Sequence, residues 1–133
     1  NIRMRKEAIG HLKEGGCIAL FPAGTVATSD MWFGPVVDPE WMPFTAKMIQ
    51  RSGAKVVPIH FPGQNSRAYQ IANCVSSTLR QGLLIHEVMH SCGKPQKPIV
   101  GAPIEDAKIK EWSSNPRGFV AWLREHTMSL GKS

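Results

Sequence analysis

A short apolar run that ends abruptly on proline and glycine does most to limit how this chain can fold. Residues 16–29 read GCIALFPAGTVATS. Cys17 to Phe21 is apolar and of strand length, and Pro22-Ala23-Gly24-Thr25 breaks it. Apolar strand, tight Pro/Gly turn, then small hydroxyl residues is the order in which an α/β protein offers backbone N–H groups at the carboxyl end of a strand. Gly24 lets the backbone come close to an anionic group, and Thr25 adds a hydroxyl. The plainer reading of the same residues is an ordinary exit from strand to loop.

The rest of the chain alternates helical and extended patterns. Ile2 to Glu14 carries Met4, Ala8, Ile9 and Leu12 on one stripe and stops at Gly15. Cys17–Phe21 is expected as a first strand, buried on both faces. Ser29–Pro39 is a loop holding Met31, Trp32 and Phe33. A helix from Pro39 or Glu40 to Arg51 admits Pro43 only in its first turn, places Trp41, Phe44, Thr45 and Met48 on one face, and ends at Ser52-Gly53. Lys55–Phe61 is a second strand, in which Pro58 calls for a bulge or an edge. After the Pro62-Gly63 turn come a short helix over Ser66–Val75 and a longer one over Ser76–His90. On the longer helix Arg80, Glu87, Ser91 and Lys94 form one narrow polar stripe. A helix so poor in polar face is sandwiched between layers, or covers a partner or lipid. Pro98–Ile104 is a third strand. Asn115-Pro116 opens a last helix with Phe119, Val120, Leu123 and Thr127 on one face, ending at Gly131.

This alternation predicts an α/β layered fold: a central mixed or mostly parallel sheet flanked by helices, incomplete at its amino-terminal side. Cys17–Phe21 and Lys55–Phe61 would be neighbouring strands, with the helix between them as the crossover. A single domain spans residues 1–133, and some apolar surface is expected to stay exposed.

Sixteen Lys and Arg against ten Asp and Glu give a net charge of +6, which favours anionic partners. The basic residues are scattered, apart from Arg3, Arg5 and Lys6 and the pair Lys94 and Lys97, and follow no nucleic-acid-binding pattern. The three cysteines, Cys17, Cys74 and Cys92, lack paired spacing and suit a reducing compartment. No apolar run approaches the ~20 residues of a membrane span. Met31, Trp32 and Phe33, with Trp41 and Met42 nearby, either cap the core or anchor at a membrane interface.

His86-Glu87-Val88-Met89-His90 has the H-E-x-x-H spacing that sets two zinc ligands and a general base on one helix face. Gly93 fits the longer metzincin pattern, but Gln96 stands where its third histidine would be. Glu105 and Glu111 are the remaining candidates for a third ligand. The plainer reading is two partly buried histidines aligned with Leu79 and Leu83. There is no G-x-S-x-G elbow, and structural cysteine is the simpler reading of all three thiols.

Taken together, the blocks resemble the phospholipid/glycerol acyltransferase family, and within it the bacterial lysophospholipid acyltransferases often labelled hemolysin-like. Phe21-Pro22-Ala23-Gly24-Thr25 is similar to that family's F-P-E-G-T block, and Val56-Val57-Pro58-Ile59 to its V-P-hydrophobic strand. The run Phe119–Leu130 resembles the closing helix. Ala23 and Val26 stand where the family has Glu and Arg, which leaves the acceptor lipid open. The family's H-x-x-x-x-D block is missing: none of the five histidines has an Asp five residues on. The resemblance therefore implies the carboxyl-terminal part of an acyltransferase domain, with its catalytic His and Asp upstream and no catalytic residue here.

On that resemblance the activity is transfer of an acyl chain from an acyl-CoA or acyl-carrier-protein thioester to a lysolipid hydroxyl. Phe21, Pro22, Gly24, Thr25 and Pro58 would bind the acceptor, peripherally on the cytoplasmic face of the cell membrane. No metal or other cofactor and no nucleic acid is implied, and the chain is expected to hold no stoichiometric zinc. The alternatives are a zinc-dependent hydrolase built on His86, Glu87 and His90, and a non-catalytic basic module on anionic membrane surfaces.

Overall fold

The computed structural model describes residues 2–29, 31–32 and 34–132. They fold as two compact units, one from Asn1–Gly24, Glu40–His60 and Pro98–Ser133 and the other from Thr25–Pro39 and Phe61–Lys97.

The first unit is organised by two helices whose ends are written in the sequence. Helix α2, Pro43–Ser52, opens with Pro43 in its first turn, where a missing N–H costs nothing. It closes on Gly53, whose φ of 65° is left-handed and whose N–H caps the Ile49 carbonyl. Helix α6, Pro116–Ser129, starts where the Asn115 side chain accepts from the Gly118 N–H at 2.9 Å. Ala46 and Ile49 of α2 meet Phe119, Val120 and Leu123 of α6, with Ile104 completing the buried cluster. Trp41, Val56, Ile109, Trp112 and Trp122 pack round it, half-buried. Thr127, buried on the same face, donates its hydroxyl to the Leu123 carbonyl at 2.8 Å, so that its own hydroxyl is not stranded. Helix α1, Ile2–Lys13, buries no side chain fully, and Arg5 lies 4.9 Å over the Phe44 ring of α2. A short helix α5, Asp106–Glu111, precedes α6, and a single 3₁₀ turn, Leu130–Lys132, follows it.

Extended structure in this unit is slight. Strand β1, Ile59–His60, pairs antiparallel with β2, Ile99–Val100, in the register Ile59↔Val100 and His60↔Ile99. Further bonds from Gly101 N–H to the Pro58 carbonyl and from Ile104 N–H to the Val56 carbonyl hold the two segments together.

The expected α/β layered fold is thus overturned. The described residues are 53% helix, in six α-helices and the 3₁₀ turn, with one two-stranded antiparallel sheet. Cys17–Phe21 belongs to no sheet, and the partner of Ile59–His60 is Ile99–Val100. An apolar run makes a strand only where another segment takes up its alternate N–H and C=O groups. Among the described residues nothing does so for Cys17–Phe21, and Cys17, Leu20 and Phe21 are exposed rather than buried on both faces.

In the second unit, helix α3, Arg67–Val75, is followed after Ser76 alone by helix α4, Ser77–Ser91. An isolated bridge pairs Thr28 with Val37. Ser29 is buried between them: its N–H donates to Gln70 Oε1 at 2.9 Å, and Asn73 Nδ2 donates to its carbonyl at 3.2 Å. Two side chains of α3 thereby fasten the loop.

Phe119 is wholly buried at the centre of the first unit's core. Phe119→Ala should cost about 3–5 kcal/mol, the range for emptying an aromatic core site, read as a lower midpoint in denaturant unfolding. A loss within the surface-substitution range of about 0.5 kcal/mol would contradict this packing.

Candidate functional site

Two constellations singled out by the sequence have defined geometry. The first is the turn at Phe21–Gly24, closed by a bond of 3.1 Å from the Gly24 N–H to the Phe21 carbonyl. Pro22 fixes φ for one central position, and Gly24 has a φ of 68°, which L side chains rarely adopt. The Met42 N–H donates to the Pro22 carbonyl at 3.0 Å, holding the turn against the entry to α2. A Cβ on Gly24 would come within 2.8 Å of Met42 Cε. Phe21 is 78% exposed, and Gly24 and Thr25 are exposed as well.

The Gly24 amide is engaged inside the turn, which leaves the exposed face to Thr25. Among the described residues no backbone carbonyl takes the Thr25 N–H. The turn leaves its aromatic ring and its glycine exposed. Pro58 is placed differently. It is buried, its carbonyl accepts from the Gly101 N–H at 2.9 Å, and its ring would lie within 2.9 Å of a Cβ on Gly101. Its position at the start of a two-stranded ladder fits the edge role expected of it, and its surroundings are those of a packing residue.

The second constellation is the H-E-x-x-H run on α4. The His86 and His90 rings stack at 6.0 Å between centroids and are exposed, not partly buried against leucines. Glu87 reaches to Ser66. Its carboxylate accepts the Ser66 N–H at 2.9 Å and the Ser66 hydroxyl at 2.5 Å. Ser66 is the N-cap of α3, and its oxygen also accepts the Tyr69 N–H. A carboxylate at the start of a helix meets unpaired N–H groups and the positive end of the helix dipole.

The Ser66 hydroxyl and then the Ser66 N–H hold the Glu87 carboxyl below its usual range. Partial burial opposes them, and His86 and His90 add smaller pulls downward. Among the described residues no group of three or more His, Cys, Asp or Glu side chains is disposed to hold a metal ion. Glu87, with both oxygens on Ser66, is not aimed at a position between the imidazoles, as a zinc-site base requires.

An open groove of about 460 Å³ runs along α4, lined by Ser76, Thr78, Leu79, Gly82 and Leu83, and none of the turn residues contributes to it. Trp32 and Met31 of the aromatic loop are exposed rather than capping a core, while Phe33 lies outside the described residues. Ser66 escaped the sequence reading because it lies 21 residues before Glu87, with no local spacing to link them.

Comparison with family models, with curated proteins and with solved structures returns no match.

A group whose folded pKa is lowered contributes stability above its unfolded value and loses it as pH falls through the folded one. The bond from Glu87 should therefore hold α3 and α4 together above pH 4.5 and release them progressively below it. Hydrogen-exchange protection of the α3 amides, followed against pH, should fall in that window for the natural chain. In Glu87→Gln it should be lower above that window and similar below it, with that step absent. An identical pH profile in both chains would contradict the assignment.

Proposed function

We propose that this chain is part of a lysophospholipid/glycerolipid O-acyltransferase and that it supplies the acceptor-binding side of the reaction. The observation that carries the reading is the Phe21–Gly24 turn. Its left-handed Gly24 and exposed Thr25 give the F-P-A-G-T block a conformation that only glycine adopts readily, on an exposed face. The net charge of +6 supports an anionic headgroup, and the exposed Phe21 supports an acceptor with an apolar tail.

In the reaction proposed, a histidine oriented by an aspartate removes the proton from the acceptor hydroxyl. The alkoxide attacks the thioester carbonyl, the C–S bond breaks, and the thiolate leaves with the proton. That His and Asp belong to an H-x-x-x-x-D block outside these residues. Phe21, Pro22, Gly24 and Thr25 bind the acceptor, and Pro58 acts at one remove by fixing β1. Acyl-CoA or an acyl-carrier-protein thioester is the donor. No metal enters, and the enzyme works peripherally at the cytoplasmic face of the membrane. No helix among the described residues is long and apolar enough to cross one.

The zinc-hydrolase alternative has less support, because Glu87 has its carboxylate on Ser66.

The test is an acyl-thioester assay with a panel of lysolipids, on these 133 residues and on a protein that joins them to an H-x-x-x-x-D block. The 133 residues alone should show no turnover, because a base contributes typically ~10²–10⁴-fold. In the longer protein Gly24→Val should lower kcat/KM roughly ten- to a hundredfold by displacing the turn. Glu87→Gln should leave it nearly unchanged. If Glu87→Gln is the more damaging of the two, the chemistry lies on α4 and the proposal fails.

A further inference from the structure

Helix α4 sends both of its charged side chains to its neighbour helix, with Leu83 and Leu84 half-buried beside them, and leaves other apolar residues facing out. Its two formally charged side chains both bond to the α3 side. Arg80 Nη1 donates to Asn73 Oδ1 at 2.8 Å, and Glu87 is held by Ser66. At ~100° per residue the side away from that stripe carries Ile85 and Met89, flanked by Val88 on one edge and His86 on the other. Ile85, Val88 and Met89 are 66%, 58% and 71% exposed, and His86 is exposed as well. No Asp, Glu, Lys or Arg interrupts that face. Immediately beyond its end lie Lys94 and Lys97, in a stretch that is exposed throughout.

We propose that this face of α4 docks the protein on an anionic lipid bilayer, lying in the interface with Ile85, Val88 and Met89 inserted and Lys94 and Lys97 on lipid phosphates. The choice of a bilayer rests on the lipid-acting function proposed above and on charge. The one acid of α4 is withdrawn to Ser66, so nothing on the outer face repels phosphate, and the nearest fixed charges are cationic. An apolar face with basic residues at its border is the arrangement that binds in the headgroup region. A juxtaposed lysine near such a surface adds attraction that falls away within a Debye length. The same unit exposes Trp32, an amphipathic side chain suited to that depth.

The experiment is co-sedimentation of the 133-residue chain with vesicles of phosphatidylcholine, with and without phosphatidylglycerol. The chain should partition to the anionic vesicles. Lys94→Gln with Lys97→Gln should weaken that partition roughly 30-fold at low salt, and Ile85→Ser with Met89→Ser at least about tenfold. Circular dichroism keeps the second pair interpretable, and Ile85→Leu with Met89→Leu should restore natural binding.

The serine pair should leave unchanged the binding of a monomeric short-chain lysolipid, which reads the Phe21–Thr25 turn. If the natural chain binds no short-chain lysolipid yet docks through α4, the acceptor reading falls and the docking face stands. Undiminished vesicle binding by the folded serine pair overturns the proposal. So does a concentration-dependent dimer, abolished by that pair, in a chain that ignores vesicles; the occupant would then be a second copy.

Discussion

The contact between Glu87 and Ser66 decides most of what the second unit presents to its surroundings. Helices α3 and α4 are separated by Ser76 alone, so they must fold back on each other, and the rotation of α4 about its axis is then set by whichever side chains find partners on α3. Glu87 finds the N-cap of α3 and Arg80 finds Asn73, both on the polar stripe of α4. With that stripe turned inward, Leu83 and Leu84 beside it are half-buried, and Ile85, Val88 and Met89 are left facing out. The same contact removes Glu87 from between His86 and His90. A motif that reads as zinc chemistry in one dimension is, in three, a carboxylate capping a neighbouring helix.

The first unit depends on a different principle. Its core is a meeting of α2 with α6, each begun with proline in the first turn and each carrying its apolar residues on one face. The two-residue strands contribute a backbone brace that holds Val56 and Ile104 against that core. The Phe21–Gly24 turn is attached at the entry to α2 through Met42, so its shape is tied to the helix that forms the core.

The helices were legible because their signals are local. Gly53 as a stop, Asn115-Pro116 as a start, and the face Phe119, Val120, Leu123 and Thr127 are all written within a few residues of where they act. The short α5 escaped notice; its signal is only an acid in the first turn and lysines in the last. The strands were misread for the opposite reason. Cys17–Phe21 has the composition of a buried strand, but pairing is a property of two segments, and no periodicity in one of them names the other. The layered α/β expectation came from reading three such runs as strands alternating with helices, and the crossover helix followed from pairing Cys17–Phe21 with Lys55–Phe61. At the candidate site, Pro22 and Gly24 declared their turn by residue type. The burial of Pro58 and the capture of Glu87 depend on Gly101 and Ser66, which lie 43 and 21 residues away in the chain.

The orientation of α4 rests on a pairwise interaction, and a double-mutant cycle isolates such a term. Ser66→Ala, Glu87→Gln and the two together should be compared for the hydrogen-exchange stability of the α3 and α4 amides. If the carboxylate and the serine act as one unit, the double variant should lose less than the sum of the single ones, with a coupling of about 1 kcal/mol. Additive losses would mean that Glu87 and Ser66 do not hold each other, and that something else sets the face α4 turns outward.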